Sequence, residues 1–239
     1  MNAGPVADKL GLPGMSNQTE SSQLARDLDL AAATGVHYHA CHISTRQSVD
    51  LIRQAKAAGV HVTAEVTPHH LLLEDTDITG DDPNFKMNPP LRSHADRQAV
   101  VQGLLDGTLD MVATDHAPHT LADKGGTMRT AAFGIVGLET AFALLYTRFV
   151  RSDRMSLPEL VARMSTIPAA AFNLPAGHIQ IGAPADLTIM DLDTPYQIDS
   201  STWFSKGVNS PFIGETVYGR TQATIVAGRL VYDQQKEGH

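Results

Sequence analysis

The sequence has little cysteine and few aromatic residues: Cys41 is its one cysteine, and Phe, Trp and Tyr together make up 5% of the chain. A single cysteine excludes an intrachain disulfide, which argues against a small secreted domain and favours a reducing compartment. The first residues carry neither a basic nor an apolar segment, so we expect no signal peptide. Residues 135–145 are the longest apolar stretch, but they contain Glu139 and are too short to span a bilayer. We expect a cytoplasmic protein.

Positive charge is also scarce, since 18 Lys and Arg face 26 Asp and Glu, for a formal net charge of −8. No basic block interrupts this balance, so neither a nucleic-acid partner nor a membrane partner is expected. What is present is enough apolar material, 42% of 239 residues, to bury a substantial core in one or two domains.

The first part of the chain alternates between predicted strands and predicted helices. Apolar residues at helical spacing predict helices at 19–34 and 46–58, and short β-rich runs predict strands at 36–43, 60–66 and 110–114. Residues 1–18, 67–91 and 115–132 are predicted to be loops, and two or three helices are expected between 133 and 173. Such alternation indicates parallel βα units, as in a (β/α)8 barrel or a doubly wound sheet.

The pattern changes after residue 173. Short alternating segments at 179–181, 186–191 and 223–232 are separated by Gly, Pro and Asp, which predicts a small antiparallel β module. We therefore predict two domains, an α/β domain at 1–173 and a β module at 174–239.

Polar side chains stand at the ends of predicted strands. His42 and Asp115 each follow one strand, and a histidine and a carboxylate at neighbouring strand ends suit a divalent metal such as zinc. The alternative is an ordinary polar strand end. Strand alternation places His37, His39 and Cys41 on the opposite face from His42, towards the helices, where we expect structural roles.

Two loops add further candidates for ligand binding. Asn88 opens a rigid Asn-Pro-Pro segment and presents an amide that can bind a polar ligand, although it can equally bond its own backbone. Phe133 and Gly134 end a glycine-rich loop, where backbone can approach a ligand closely. One member of the pair His69 and His70 can line the site without being a metal ligand.

Four ordered motifs carry a family resemblance. They are His-Ile-Ser-Thr at 42–45, Glu-Val-Thr-Pro-His-His-Leu at 65–71, Lys-Met-Asn-Pro-Pro-Leu-Arg at 86–92 and Ala-Thr-Asp-His-Ala-Pro-His at 113–119. From about Leu10 onwards the chain resembles the bacterial type I dihydroorotases of the amidohydrolase superfamily. Residues 182–187 resemble the closing β module of that superfamily.

The resemblance implies a hydrolase of pyrimidine biosynthesis that interconverts N-carbamoyl-L-aspartate and dihydroorotate at a centre of one or two zinc ions. It implies that His42 is a zinc ligand, and that Asp115 is both a zinc ligand and the catalytic acid/base. It implies that Asn88, His119 and the backbone around Phe133 and Gly134 bind substrate. Residues 116–132 correspond to a mobile loop that closes over the site.

The chain departs from the family pattern at its start. It lacks the family's H-x-H-x-R motif, the bridging carboxylate or carboxylated lysine, and a further histidine, and only 114 residues precede Asp115, where a whole barrel takes roughly 250. We therefore expect an α/β fold made of the last strands and helices of a (β/α)8 TIM barrel plus a small C-terminal β module. Met1 is then an internal methionine or an alternative start, and the activity of this truncated form stays open.

Two alternative functions stay open. One is a non-catalytic dihydroorotase-like protein that serves as a structural partner of an aspartate transcarbamoylase. The other is a different cyclic amidase, a hydantoinase or an allantoinase. An open three-stranded sheet would leave an unpaired edge, which favours a homo-oligomer or a partner segment that covers it.

Overall fold

A computed structural model describes residues 1–237 of the chain, with side chains through Lys236. The chain divides into two compact units, one made of Met1–Glu139 with Ser201–Pro211 and the other of Thr140–Ser200 with the chain from Phe212 onwards. The predicted domain boundary after residue 173 rests on the change in sequence pattern and stays a prediction. Gly238 and His239, which end the predicted module, lie outside the described residues. No helix within residues 1–237 is both long and apolar enough to cross a membrane.

The first unit alternates helices with short strands. Its elements are α1 (Pro5–Leu10), α2 (Gln18–Thr34), β1 (Tyr38–Ala40), α3 (Arg46–Ala57), β2 (Val62–Val66), α4 (Pro68–Leu72), α5 (His94–Asp106) and β3 (Met111–Val112). The strands form one parallel sheet in the order β1-β2-β3. Tyr38 is in register with Val62, and Glu65 with Met111. The predicted parallel βα pattern is therefore confirmed, and its place in a barrel stays a prediction.

Local sequence signals explain where these helices begin and end. The side chain of Thr45 accepts the backbone N–H of Ser48 and caps α3, and Ser93 caps α5 in the same way through the N–H of Asp96. Each such cap contributes about 0.5–2 kcal/mol. Gly35 ends α2 and Gly107 ends α5, both in the left-handed conformation that glycine adopts without strain.

The packed face of this sheet is apolar. Val62, Ala64 and Val66 of β2 are buried, and α3 contributes Val49 and Ile52 to the same core. Complete burial of one such aliphatic side chain stabilises the fold by about 1.5–3 kcal/mol. The alternate residues of β2, which point to the other face, are polar. The polar face of the sheet can therefore carry functional side chains.

Two segments predicted as loops contain helices. Residues 1–18 contain α1, because Pro5 suits a first helical turn and Gly11 takes the left-handed C-terminal position. The same segment is held by Asn2, whose side-chain amide donates to Asp75 at 2.7 Å. Residues 67–91 contain α4, which Thr67 caps, and two single turns of 3₁₀ helix at Asp75–Asp77 and Pro83–Phe85.

The second unit contains short helices followed by antiparallel strands. Its elements are α6 (Ala141–Leu145), α7 (Leu157–Val161), α8 (Ile167–Ala171), β4 (Leu187–Asp191), β5 (Tyr196–Gln197), β6 (Thr216–Val217), β7 (Arg220–Val226), β8 (Arg229–Asp233) and α9 (Gln234–Glu237). Single π-helical turns follow α6 and α7. Strands β4, β7 and β8 form an antiparallel sheet in the order β4-β7-β8, and β5 pairs with β6.

The antiparallel module is confirmed, but the strand predicted at 179–181 is wrong. Both Ile179 and Ile181 are exposed and pair with no strand among the described residues. Their alternation with polar residues mimics a strand, yet no neighbouring strand buries the apolar side. The predicted strand at 223–232 is instead the hairpin of β7 and β8, which turns at Ala227 and Gly228.

Candidate metal and substrate site

His42 and Asp115 stand just beyond the carboxyl ends of parallel strands. β1 ends at Ala40 and β3 ends at Val112, and each polar residue follows within three positions. Both residues have left-handed backbone, with φ 54° for His42 and 47° for Asp115. This conformation is uncommon for residues other than glycine and is found preferentially at functional sites. It turns both side chains away from the direction that a continued strand would give them.

The two predicted metal ligands are in contact range. Nε2 of His42 lies 3.6 Å from Oδ1 of Asp115, and each side chain is 28% exposed. Two ligands bound to one tetrahedral zinc ion at about 2.0–2.2 Å stand roughly 3.4 Å apart. The pair therefore fits adjacent positions around one ion. It is not a complete set, because a catalytic zinc usually has three protein ligands.

One other group of donors can hold a metal ion within the described part of the chain. One donor atom each from His39, Cys41 and Glu65 lies within 4.8 Å of the others. Glu65 belongs to both groups, since its carboxylate also faces His42. The structure thus places a second set of donors beside the predicted pair.

Burial and neighbouring charge shift the pKa values of this site. Burial raises the pKa of Asp115, the Glu65 carboxylate raises it further, and His42 opposes both. The pKa of His42 is raised mainly by its contact with Glu65, which outweighs the lowering effect of burial. A carboxyl group with a raised pKa is better suited to carrying a proton near neutral pH than an exposed one.

Glu65 also belongs to this site, although no role was predicted for it from the sequence. It lies in β2 and is 6% exposed. Burial acts to raise its pKa, but the contacts with His39 and His42 prevail and lower the pKa to about 2. In the sequence, a role for Glu65 is indicated by the carboxylate itself, which stands in a five-residue strand that is otherwise Val, Thr and Ala. A carboxylate buried in such a strand almost always has a partner.

The predicted orientation of His37 and His39 is wrong, and so is that of Cys41, which is exposed and lies beside His39 and Glu65. Both histidines contact Thr63 Oγ1, through His37 Nε2 at 2.9 Å and His39 Nδ1 at 2.8 Å. They therefore share the polar face of the sheet with Glu65, whereas Tyr38 reaches Asp27 of α2. The alternation rule failed because β1 ends at Ala40 and the left-handed backbone of His42 breaks the period of two.

The neighbouring histidines of α4 are buried. The Nε2 atom of His70 bonds the carbonyl oxygen of Pro89 at 2.9 Å and its Nδ1 contacts Thr67 Oγ1 at 2.7 Å. Burial lowers the pKa of His70 to about 4. His69 is also buried, with no hydrogen-bond partner for its Nε2 atom, and burial lowers its pKa well below the ordinary value. Both rings are thus held neutral.

Asn88 is exposed, but buried side chains hold the backbone of its segment. The bond of His70 to Pro89 holds the backbone next to Asn88, and Arg92 at the end of the same motif is buried, with Nε donating to Ser44 Oγ at 3.0 Å. Among the described residues, the hydrogen bonds and ion pairs join Asn88 to neither His42 nor Asp115. Its predicted contact with substrate stays a prediction.

The other three predicted substrate contacts lie together. Nε2 of His119 bonds the carbonyl oxygen of Phe133 at 2.7 Å. Gly134 follows with φ 116°, and a Cβ on it would clash with Ala117 and stand 3.4 Å from His119 Nε2. The Phe133 side chain is 48% exposed. Glycine at 134 is therefore required by the close approach of Ala117, whereas the predicted approach of this backbone to a ligand stays a prediction.

Asn209 closes the base of the loop that carries these residues. Its Nδ2 donates to the carbonyl oxygens of Ala117 and Gly134 at 2.9 and 3.0 Å, and its Oδ1 accepts the backbone N–H of His119 at 3.0 Å. The loop between residues 116 and 132 is held further by Lys124, whose buried Nζ donates to Gly134 O at 2.9 Å. Burial lowers the pKa of Lys124 to about 8.

The fold and these strand-end residues match a known family. The chain belongs to the amidohydrolase family, whose model matches residues 10–231. Members of this family are generally metal-dependent. The chain therefore has the α/β fold of that family.

The curated proteins that this chain resembles carry a more specific name than the family does. The chain is 61% identical to a dihydroorotase of Lactiplantibacillus plantarum over 99% of its own length and 55% of that protein. It is 58% identical to a dihydroorotase of Pediococcus pentosaceus over 100% of its length and 56% of that protein. The chain thus spans about half the length of the curated relatives it matches.

A solved structure shares the fold at lower identity. The L-hydantoinase (dihydropyrimidinase) of Arthrobacter aurescens matches 89% of this chain and 48% of its own with a TM-score of 0.83 and 32% identity. The identity to the two dihydroorotases is almost twice as high.

Proposed function

We propose that this chain carries the C-terminal part of a dihydroorotase, a zinc-dependent cyclic amide hydrolase that interconverts N-carbamoyl-L-aspartate and dihydroorotate in pyrimidine biosynthesis. The observation that carries the proposal is the approach of His42 Nε2 to Asp115 Oδ1 at 3.6 Å beyond the ends of parallel strands. The 61% identity to a curated dihydroorotase supports the substrate class.

A zinc ion held by His42 and Asp115, with ligands that the family resemblance assigns to an upstream region, would supply Lewis-acid polarisation of the amide carbonyl and activation of water. His42 contributes a neutral imidazole nitrogen to this set. The 3.6 Å separation of the two donor atoms supports binding to the same ion. One or two ions are expected from the family resemblance.

Asp115 is the proposed catalytic acid/base. Its carboxylate takes the proton of the attacking water as the ring opens and passes it to the departing ring nitrogen; in the reverse direction it removes the proton from the attacking nitrogen and passes it to the departing hydroxide, which leaves as water. The partly buried position, which raises the pKa of this carboxyl, supports the role because the group then holds a proton more readily. Its partial exposure leaves room for substrate.

Asn88, His119, Phe133 and Gly134 are proposed to bind substrate. Dihydroorotate is a cyclic amide with a carboxylate, so it offers acceptors for the His119 ring and the Asn88 amide and a donor N–H for backbone carbonyls. Asn209 supports this proposal because it ties the backbone of His119 to that of Gly134. Closure of the loop at 116–132 over substrate is part of the same proposal.

A second candidate is another cyclic amidase, a hydantoinase or an allantoinase. The fold shared with the L-hydantoinase of Arthrobacter aurescens favours it, and its 32% identity, against 61% for a dihydroorotase, ranks it second. A non-catalytic partner of an aspartate transcarbamoylase is less well supported, because His42 and Asp115 are both retained. A homo-oligomer and a cytoplasmic location stay predictions.

The test combines metal analysis with a ring-opening assay. The 239-residue chain and a longer form that carries the upstream region of the relatives are purified and assayed with dihydroorotate, hydantoin and allantoin. We expect the longer form to contain zinc and to open dihydroorotate in preference to the other two rings. Preference for hydantoin or allantoin would transfer the proposal to the second candidate, and a zinc-loaded form inactive on all three would overturn it.

A further inference from the structure

The carboxylate of Glu65 makes contacts on both of its oxygens. Oε1 accepts the backbone N–H of His42 at 3.2 Å and lies 2.6 Å from Nδ1 of the same residue. Oε2 lies 3.3 Å from Nε2 of His39. The backbone and ring of His42 therefore converge on one oxygen, which restricts the rotation of the imidazole about its side-chain bonds.

Glu65 is itself fixed in position. It belongs to β2, where its backbone pairs in register with Met111 of β3. On the same face, His39 bridges the Glu65 carboxylate and Thr63 Oγ1, so the carboxylate is held from a second side. A group that is held by its strand and by a neighbouring ring can orient a third group at little further entropic cost.

The contact selects one nitrogen of His42. Nδ1 makes no hydrogen bond of acceptable angle, but it lies 2.6 Å from the carboxylate oxygen, where a lone pair on Nδ1 would be repelled, so the proton is expected on Nδ1. The other nitrogen, Nε2, is then the unprotonated one, and it points towards Asp115 at 3.6 Å. Histidines that bind metals through one nitrogen commonly contact a carboxylate through the other.

We propose that Glu65 is a positioning residue that fixes the His42 ring in its Nδ1–H tautomer and directs the Nε2 lone pair towards Asp115. The orientation of the ring is a property of this chain alone; its consequence for metal binding rests on the proposed function. Glu65 acts through His42 and does not itself touch substrate.

The decisive measurement is the tautomer of His42 in the metal-free 239-residue chain. Long-range ¹H–¹⁵N correlation spectra of ¹⁵N-histidine-labelled protein, recorded at a pH where the ring is neutral, report which nitrogen bears the proton. The His42→Gln variant assigns the signal. We expect Nδ1–H in the wild type. A wild-type ring in the Nε2–H form would overturn the proposal without any substitution at Glu65.

Two variants at Glu65 separate positioning from a merely structural role. Glu65→Met removes both acceptors at similar volume and should move His42 to the Nε2–H form or to a mixture. Glu65→Gln keeps an oxygen acceptor and should retain Nδ1–H. Loss of the Nδ1–H form in a folded Glu65→Gln protein, or its persistence in a folded Glu65→Met protein, would contradict the proposal. Glu74→Gln, which alters another carboxylate that faces a histidine, His94, is the matched control.

Zinc affinity distinguishes failure of this inference from failure of the proposed function. Calorimetric titration with zinc should show about 10–100-fold weaker binding in Glu65→Met than in the wild type. A tautomer change without any loss of zinc affinity would leave the positioning role standing and remove His42 from the proposed ligand set. An unchanged tautomer would defeat the inference whatever the titration shows.

Discussion

Nε2 of His42 and Oδ1 of Asp115 stand 3.6 Å apart, although they follow different strands of the sheet. The parallel order β1-β2-β3 explains the approach, because the carboxyl ends of parallel strands emerge at the same edge. β2, between them, supplies Glu65 to the same edge. The pair and its buried neighbour thus form one electrostatic unit in which a change at any member alters the other two.

Replacement of the Asp115 carboxylate should abolish most turnover. In the longer form of the protein, we expect Asp115→Ala to slow ring opening by at least about 10²–10⁴-fold, because it removes both a proposed ligand and the proton carrier. Steady-state rates with dihydroorotate measure the loss. Asp50→Ala, which alters an exposed carboxylate on α3, should retain the wild-type rate. More than about a tenth of the wild-type rate in Asp115→Ala would refute the assigned role.

Short-range signals in the sequence predicted much of this site, and long-range contacts account for what they missed. His42 and Asp115 were predicted as strand-end residues, because this signal lies within a few positions of the strand that each residue follows. The roles of His39 could not be predicted, since its orientation depends on where β1 ends.

The contacts of Asn209 could not be predicted from the sequence either. It lies 90 positions from His119, yet its side chain accepts the backbone N–H of that residue. Its neighbourhood in the sequence, with Ser210 and Pro211 after it, indicates only a turn or loop. The partners of a buried amide that bridges distant backbone segments are set by the folded topology, which a local pattern does not contain. Contacts of this kind require a structure.

Loss of the Asn209 amide should loosen the loop that carries His119. We expect Asn209→Ala to destabilise the chain by about 1–3 kcal/mol in urea, because the carbonyl oxygens of Ala117 and Gly134 then lose the amide that bridges them and the N–H of His119 loses its acceptor. Trypsin should also cut faster within the loop, after Arg129.

Asn84→Ala is the control for this change, since it removes an asparagine side chain outside the loop. It should leave both stability and the cleavage pattern close to the wild type. If cleavage after Arg129 is equally slow in Asn209→Ala and in the wild type, then Asn209 does not hold the loop.

Acid should weaken the fold through the buried histidines of α4. Burial lowers the pKa of His70 to about 4, whereas an unfolded histidine titrates near its ordinary value of 6.5. The unfolded chain therefore binds more protons between these limits, and stability falls as the pH drops from about 6.5 to 4, by at most about 1.4 kcal/mol per pH unit for one such group. Urea unfolding at a series of pH values measures the slope.

Substitution of single histidines shows which of them causes this dependence of stability on pH. His70→Gln should make the dependence on pH shallower, because the unfolded chain loses one group that takes up a proton. His178→Gln removes an exposed histidine whose ring bonds a backbone carbonyl oxygen, and it should keep the wild-type slope. Buried His69 remains in both variants and should leave a residual dependence. Equal slopes in His70→Gln and the wild type would show that His70 is not held neutral.

The backbone at Gly134 should not tolerate a side chain. Its φ of 116° is unfavourable for any other residue, and an added Cβ would clash with Ala117 and press on His119. We therefore expect Gly134→Ala to destabilise the chain by about 1–3 kcal/mol and to release His119 from the carbonyl oxygen of Phe133. Gly80→Ala is the matched change, because a Cβ there meets nothing within 4 Å and the backbone needs no positive φ. It should be neutral or slightly stabilising. Equal urea midpoints for the two variants would disprove the strain assigned to residue 134.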